Sequence, residues 1–494
     1  MKRTVLASIG PAVFMAAAGV ALAVTVTSVF FFAIPVRGVV QCETVGASAG
    51  VRTGYARIQP LGETAAPGSF AMFRFRQNQT LVTEASVPAV APATAGRIYA
   101  EVNGPTNTGI AIVNPNNQST DVSFFFTDSN GENFGQGSVT LPPNSKVSQF
   151  LNEPPFNGGS SIQGTFTFTS SLPVGVIALR GFVNERSEFL ITTMPVTELA
   201  SESGETVVFP HFADGGGWTS QIVLVNPVDV PISGFLQFLD AGSETATAQP
   251  IDMTVDGRTG QIFSYSLPPR SSRRFQTSGS STSVITGSVR VTPLTGFRSP
   301  AGVAFFSFKR DGITVTESGV PALRGSTAFR LYVEESGDYP GQLQTGVAIA
   351  SRCTKPTTVT LELLPMSGAP TQVVATLVLP SLGQVSRFLK QIPGFERVPF
   401  PNRGVLRLST EDPDGISVVG LRGRYNERGD FLITATPPVD ETRPPARAEI
   451  LVPHLVDGGG YTSEFVLMNG SSEVLVGSLR FFAQSGQPLT LTFK

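Results

Sequence analysis

In the segment TDVSFFFTD, Val122, Phe124 and Phe126 alternate with polar or outward positions, and in TTVTLELLP, Val359, Leu361 and Leu363 alternate with Thr358, Thr360 and Glu362. A period of two places the apolar set on one face of a strand and the polar set on the other. Such runs are short and are followed by polar turns, as at Asp128-Ser129-Asn130-Gly131, Asp240-Ala241-Gly242 and Gln484-Ser485-Gly486. No long helical periodicity appears beyond the first residues. The pattern predicts an all-β chain of antiparallel β-sandwiches, immunoglobulin-like in outline, with modules of roughly 110 to 120 residues. The Cys–Trp–Cys signature of antibody domains is missing, so the strand order is left open.

The strands recur in a template. A corner reads Leu141-Pro142-Pro143-Asn144-Ser145, then Leu267-Pro268-Pro269-Arg270-Ser271, then Leu379-Pro380-Ser381, with a weaker copy at Ile34-Pro35-Val36-Arg37. After each corner a glycine opens an alternating strand: Gly54, Gly164, Gly287 and Gly404. Closing hairpins also repeat, ALRGFVNERSEFLITTMPV from Ala178 beside GLRGRYNERGDFLITATPP from Gly420. Self-similarity of this kind marks tandem modules. Two subtypes alternate: type A over 97–206 and 330–449, type B over 207–329. Residues 27–96 match the later part of type B, and 450–494 match its opening part.

The two partial modules pose a problem, because half a sandwich leaves apolar faces and strand edges uncovered. Truncation after Lys494, with more repeats to follow, is the preferred expectation. The alternative is that the halves complete each other, within one chain or between chains. Ahead of them, residues 1–26 have a basic start, an apolar run and small residues at Ala21 and Ala23. This is the layout of a signal peptide, preferred over a retained membrane anchor.

Composition narrows the classes. Of 494 residues, 15% are charged and 41% hydrophobic, with a net charge of −2, so neither disorder nor a polyanion-binding surface is expected, and no nucleic acid partner. Cys42 and Cys353 fall at different points of the template and are expected as thiols rather than a bridge.

The segment PHFADGGGWTSQIVLVNP from Pro210 returns as PHLVDGGGYTSEFVLMNG from Pro453, agreeing at eleven of eighteen positions and holding the only two histidines. His211 with Asp214, and His454 with Asp457, are the candidate metal ligands. Two side chains are too few for structural zinc, and one carboxylate is too few for calcium. A phosphate loop would need a lysine and a helix after the glycines. The expectation is therefore a structural corner: an Asp-Gly turn, glycines in left-handed backbone, and a histidine that caps the turn or covers a ring. No catalytic group, cofactor or metal is assigned. Asn184-Glu185-Arg186 and Asn426-Glu427-Arg428 recur at a hairpin tip and read as solvated turns. Trp218, Tyr99, Tyr332 and Tyr461 are the rings available for stacking on sugars, and equally placed to be core.

The His-Phe-Ala-Asp-Gly-Gly-Gly-Trp segment resembles repeats in uncharacterised secreted proteins of environmental bacteria. That resemblance implies an extracytoplasmic β-sandwich repeat and no activity. The expected function is a non-enzymatic exported repeat protein acting as a cell-surface spacer, adhesin or assembly scaffold; the alternative is a carbohydrate-binding or accessory region of a degradative system. Partners would be a cell-surface polymer or other repeat proteins, with self-association through the partial ends and membrane contact only through an uncleaved leader.

Overall fold

A computed structural model describes residues 25–199, 203–243, 245–399 and 401–494. The body of the expected leader, residues 1–24, lies outside the described residues. Residues 207–321, here module III, display the template most completely. Eight strands run Val207–Asp214, Trp218–Val225, Ile232–Leu239, Phe263–Leu267, Ser272–Gln276, Ile285–Pro293, Ala301–Arg310 and Ile313–Pro321. They form two antiparallel four-stranded sheets, ordered first-sixth-third-fourth and fifth-second-seventh-eighth. The sheets sandwich Phe209, Phe212, Ile222, Leu224, Phe238 and Phe275. The first strand pairs with the sixth, whereas in immunoglobulin domains it pairs with the second. A small hairpin, Met253–Val255 with Arg258–Gly260, lies between the third and fourth strands.

Module II (strands Ala93–Asn103 to Phe189–Met194) and module IV (Ala328–Glu335 to Phe431–Thr436) repeat the two sheets; in module II the sixth and seventh strands run on as Ile162–Val183. The glycine that opens each sixth strand has a steric reason. A Cβ on Gly54, Gly164, Gly287 or Gly404 would fall 2.2, 2.0, 1.9 or 2.0 Å from the carbonyl oxygen of Phe482, Thr127, Leu239 or Leu364. Only a residue without a side chain lets the third strand approach that closely.

Module I joins the two partial modules within one chain, the alternative weighed above. Ile450–Asp457, Tyr461–Met468 and Leu475–Ala483 supply its first three strands, and Val29–Ile34, Val39–Glu43, Arg52–Pro60, Gly68–Gln77 and Thr80–Pro88 supply the other five. Ile34 pairs with Leu475, Gly54 with Leu455 and Ala71 with Phe465, so one sandwich is built from both ends of the chain. Thr25–Thr27 pairs with Leu491–Phe493 at the place where module III has its small hairpin. The two ends of the described chain therefore stand where module III has the Asp256–Gly257 turn, and the Thr25–Thr27 strand crosses the expected boundary at 27. Asn469 ties the halves together: its Nδ2 donates to the carbonyls of Ile34 and Pro35 at 3.2 and 2.9 Å. Asn226 and Asn114 do the same within modules III and II, each donating to two corner carbonyls.

The four modules close into a ring. Their eighth strands converge on one axis, each touching at least two others. Thr193 Oγ1 donates to the Ser86 carbonyl at 2.6 Å, Thr434 Oγ1 to that of Glu84 at 2.9 Å and Thr316 Oγ1 to that of Ile433 at 3.2 Å. At the periphery each Pro-containing corner docks on the polar turn of the preceding module: Lys146 N–H donates to the Gln484 carbonyl, Gln384 N–H to that of Ala241 and Val39 N–H to that of Met366, at 3.0, 3.1 and 2.9 Å. The corners share a left-handed residue, Arg37, Asn144, Arg270 or Leu382, at φ between 56° and 61°.

The Asn-Glu-Arg tips, expected as solvated turns, lock this ring. Asn184 and Asn426 are buried. Asn184 Nδ2 donates to the Thr314 carbonyl while Glu185 accepts the Thr314 N–H, at 3.0 and 2.7 Å. Asn426 and Glu427 grip Leu81 in the same way, at 3.0 and 2.8 Å. Arg186 pairs with Asp430 at 2.8 Å, and Arg428 with Glu188 at 2.5 Å, a reciprocal exchange between modules II and IV.

Two outcomes test this architecture. Gly287→Ala should lower unfolding stability by about 3 kcal/mol, read as a shift of the urea midpoint, because the added carbon meets a backbone carbonyl. A chain ending at Glu449 should lose its monodisperse elution on size exclusion and regain it when a peptide of residues 450–494 is added.

Candidate functional site: paired histidine clefts

A bulge sets the histidines. Register in the first strand slips between Phe209 and Phe212, and between Val452 and Leu455 in module I, which turns His211 and His454 toward the neighbouring module. The glycines that follow make a hairpin turn: Gly215 and Trp218 exchange two backbone hydrogen bonds around Gly216 and Gly217, whose φ values are 58° and 93°. Positive φ at both central residues is the turn that matches strand twist. Asp214 and Asp457 face away from this exchange. Asp214 accepts the Gly279 N–H at 2.9 Å; Asp457 accepts the Gly46 N–H at 3.2 Å and pairs with Arg52. The four candidate ligands thus separate by role: the aspartates latch a loop of their own module, and the histidines enter module interfaces.

Each histidine lies edge-on to a phenylalanine. His211 meets Phe306 at 5.5 Å and 85°, and His454 meets Phe73 at 5.5 Å and 76°. Across the interface His211 Nδ1 faces Gln384 Nε2 at 3.3 Å, and that amide also donates to the Pro210 carbonyl. His454 Nδ1 faces Lys146 Nζ at 2.8 Å and Ser148 Oγ at 3.2 Å; Lys146 also donates to the Gly54 carbonyl at 2.8 Å. Burial pushes the His211 imidazole down to about 4 and the Lys146 amine down to about 7. Burial, and then the Lys146 charge, hold His454 well below the usual imidazole range. Both rings are neutral near pH 7, with Nδ1 as the acceptor.

Beside each histidine a cleft opens between modules. Between modules I and II lies a cavity of about 430 Å³ walled by Phe73, Phe150 and Tyr461, with Ser148, Glu153 and His454 as polar groups. Between modules III and IV the matching cavity of 190 Å³ is walled by Phe306, Phe388 and Trp218, with Ser386, Gln391 and His211. The two sets correspond position by position in the type B and type A templates. Tyr461 stacks on Phe75 at 4.4 Å, and Trp218 on Phe308 at 4.8 Å. Glu153 accepts the Phe150 N–H and Gln391 the Phe388 N–H, at 3.1 and 3.0 Å, so even the wall supports match.

The other rings considered for stacking sort differently. Tyr99 and Tyr332 are each 3% exposed and lie in the core of the alternate interfaces. There, guanidiniums and carboxylates are buried together: Arg180 with Glu101 and Glu317 between modules II and III, Arg422 with Glu84 and Glu334 between IV and I. Burial pushes the Glu84 carboxyl up, but Arg422 and Arg74 overcome this and hold it down to about 2. Cys42 and Cys353 are buried free thiols. Cys353 lies near Asp412 and Asp414, but burial raises its thiol and its Sγ is turned to the Gly415 carbonyl at 3.6 Å. The clefts themselves were not visible in the sequence, since their walls come from segments hundreds of residues apart; the recurrence of the histidine with a ring seven residues later was the available signal.

No family model matches this chain, and no curated protein does. Among solved structures, similarity is found to a glycoside hydrolase family 32 protein from Bifidobacterium adolescentis, at 10% identity over 79% of this chain and 100% of that one, with a TM-score of 0.15. A second is infectious bursal disease virus, Gx strain, at 10% identity over 82% and 84%, with a TM-score of 0.12. At these scores neither likeness carries an argument.

The neutral histidines fix a pH dependence. The folded His211 value lies below the unfolded one near 6.5, so the unfolded chain takes up a proton first and stability falls as pH drops from 6.5 toward 4. The full loss is about 3 kcal/mol for this one site. Urea midpoints at pH 7.5 and 5 should therefore diverge in the native protein and diverge less in His211→Gln, where His454 alone keeps the dependence. Lys146→Gln, which places in module II the amide that module IV already has at Gln384, should raise stability at pH 7 by about 1–2 kcal/mol, because an amine no longer has to be desolvated.

Proposed function

We propose that this is an exported, non-enzymatic binding protein that acts as a cell-surface adhesin or assembly scaffold. The doubled cleft carries the reading. Two equivalent recesses, opposite in the cyclic order of modules and each walled by aromatic rings, give one chain two points of attachment. Bivalent engagement of a repetitive surface raises affinity by ~10²–10⁴ without new contacts. Of the three roles expected, a spacer is the least supported, since a spacer sets its modules out in a line and here the four close on an axis. The leader favours export, and a signal peptidase cut after Ala23 would leave the Thr25–Thr27 strand intact.

A carbohydrate-binding role is the second reading, favoured by the stacked Tyr461–Phe75 and Trp218–Phe308 pairs at the cleft walls. Aromatic faces beside hydrogen-bonding groups suit a sugar ring.

Binding of the purified protein to cell envelopes of the producing organism tests both. Tyr461→Ala or Trp218→Ala alone should weaken retention by about 100-fold, and the double variant should abolish it. Equal retention by native and doubly substituted protein would remove the clefts from the adhesive role. Competition by soluble polysaccharide, lost in the same variants, would select the carbohydrate reading.

A further inference from the structure

The two clefts match in their walls and differ in their charge. The fifth strands of modules II and IV supply equivalent residues to them, with Gln149 opposite Ile110 and Arg387 opposite Val347. Ser148 and Phe150 recur as Ser386 and Phe388, but Gln149 becomes Arg387 and Glu153 becomes Gln391. All eight border the cavities. With both histidines neutral, Glu153 is the one charged side chain lining the cleft between modules I and II, and Arg387 the one lining that between III and IV. Lys146 stands behind His454, donating to the Gly54 carbonyl, and does not border the first cavity.

Arg387 is exposed, and its guanidinium has no ion pair or hydrogen bond among the described residues. Lys390, three residues on, is engaged by Glu335 at 3.7 Å and lies outside the lining. An uncompensated guanidinium therefore stands on a wall that also holds Phe306, Phe388 and the half-buried Trp218, with no carboxylate among the lining residues.

We infer that the cleft between modules III and IV selects a negatively charged sugar residue, that Arg387 sets this preference, and that the cleft between I and II rejects the same residue. The inference rests on reading the clefts as binding sites in their carbohydrate form. The aromatic wall takes the face of the sugar ring, and Ser386 and Gln391 meet its hydroxyls. The planar fork of Arg387 fits a carboxylate or a sulfate, which share the paired oxygens it recognises. In the other cleft the Glu153 carboxylate repels that group, and Gln149 offers no charge to offset it.

Trp218 is the only tryptophan, so its emission reports the cleft between modules III and IV alone. The full chain is titrated at pH 7.5 with trimers of galacturonic acid, of 6-sulfated galactose and of galactose, following Trp218 fluorescence and the calorimetric stoichiometry. One anionic trimer per chain is expected, with a change in Trp218 emission and affinity about 10-fold above that of the galactose trimer. Tighter binding of either anionic trimer supports the inference. Arg387→Gln, which installs the module II residue at an exposed position, should weaken the anionic trimer about 10-fold, to the level of galactose. Gln149→Arg with Glu153→Gln, which installs both module IV residues, should raise the stoichiometry from one to two. Equal affinity for anionic and neutral trimers, indifference to Arg387→Gln, two anionic trimers on the native chain, or one on the Gln149→Arg, Glu153→Gln variant would each overturn the inference while leaving the clefts as sugar sites. Binding of no trimer at all would remove the carbohydrate reading of the clefts, and this inference with it.

Discussion

The second sheet of every module is covered on both faces, and the ring depends on that. Its strands are buried almost without interruption, as in Trp218–Val225, Leu343–Ser351 and Ile416–Tyr425, whereas an outer strand such as Val374–Leu379 alternates buried and exposed residues. One face of the second sheet packs on its own module and the other on neighbouring modules. A single module taken alone would expose that other face to water, at a cost of about 25 cal/mol for each Å² of apolar surface. Closure is therefore part of the folding of each sandwich, and module I, assembled from both ends of the chain, is the place where closure is made.

The ring alternates two kinds of seam. Between modules II and III, and IV and I, buried arginines and glutamates meet; between I and II, and III and IV, a neutral histidine and aromatic rings border a cleft. Buried ion pairs add little net stability but are costly to mismatch. They suit seams that fix which module lies beside which. The histidine seams carry little charge, and that is where space remains for a ligand. The alternation of type A and type B templates is thus an alternation of locking and open interfaces.

Much of the local structure was legible. Period-two runs, Pro-containing corners and strand-opening glycines marked the sandwiches, because each reports a constraint within a few residues or between adjacent strands. The histidine segment was legible as a corner for the same reason: its glycines adopt the positive φ that the turn needs. The Asn-Glu-Arg tips were misread. A charged hairpin tip has the same composition whether it faces water or another tip, and only the axis brings Arg186 to Asp430 and Arg428 to Glu188.

The sequence by itself determined the strands, the repeat and the two subtypes, since alternation and backbone conformation are properties of short segments. Tertiary structure alone decided that the partial ends form one sandwich, that four modules close on an axis, and that two equivalent histidines face different partners, Lys146 and Gln384. These are contacts between residues hundreds of positions apart. Their energy comes from fitting one folded surface to another, and no local pattern encodes that fit.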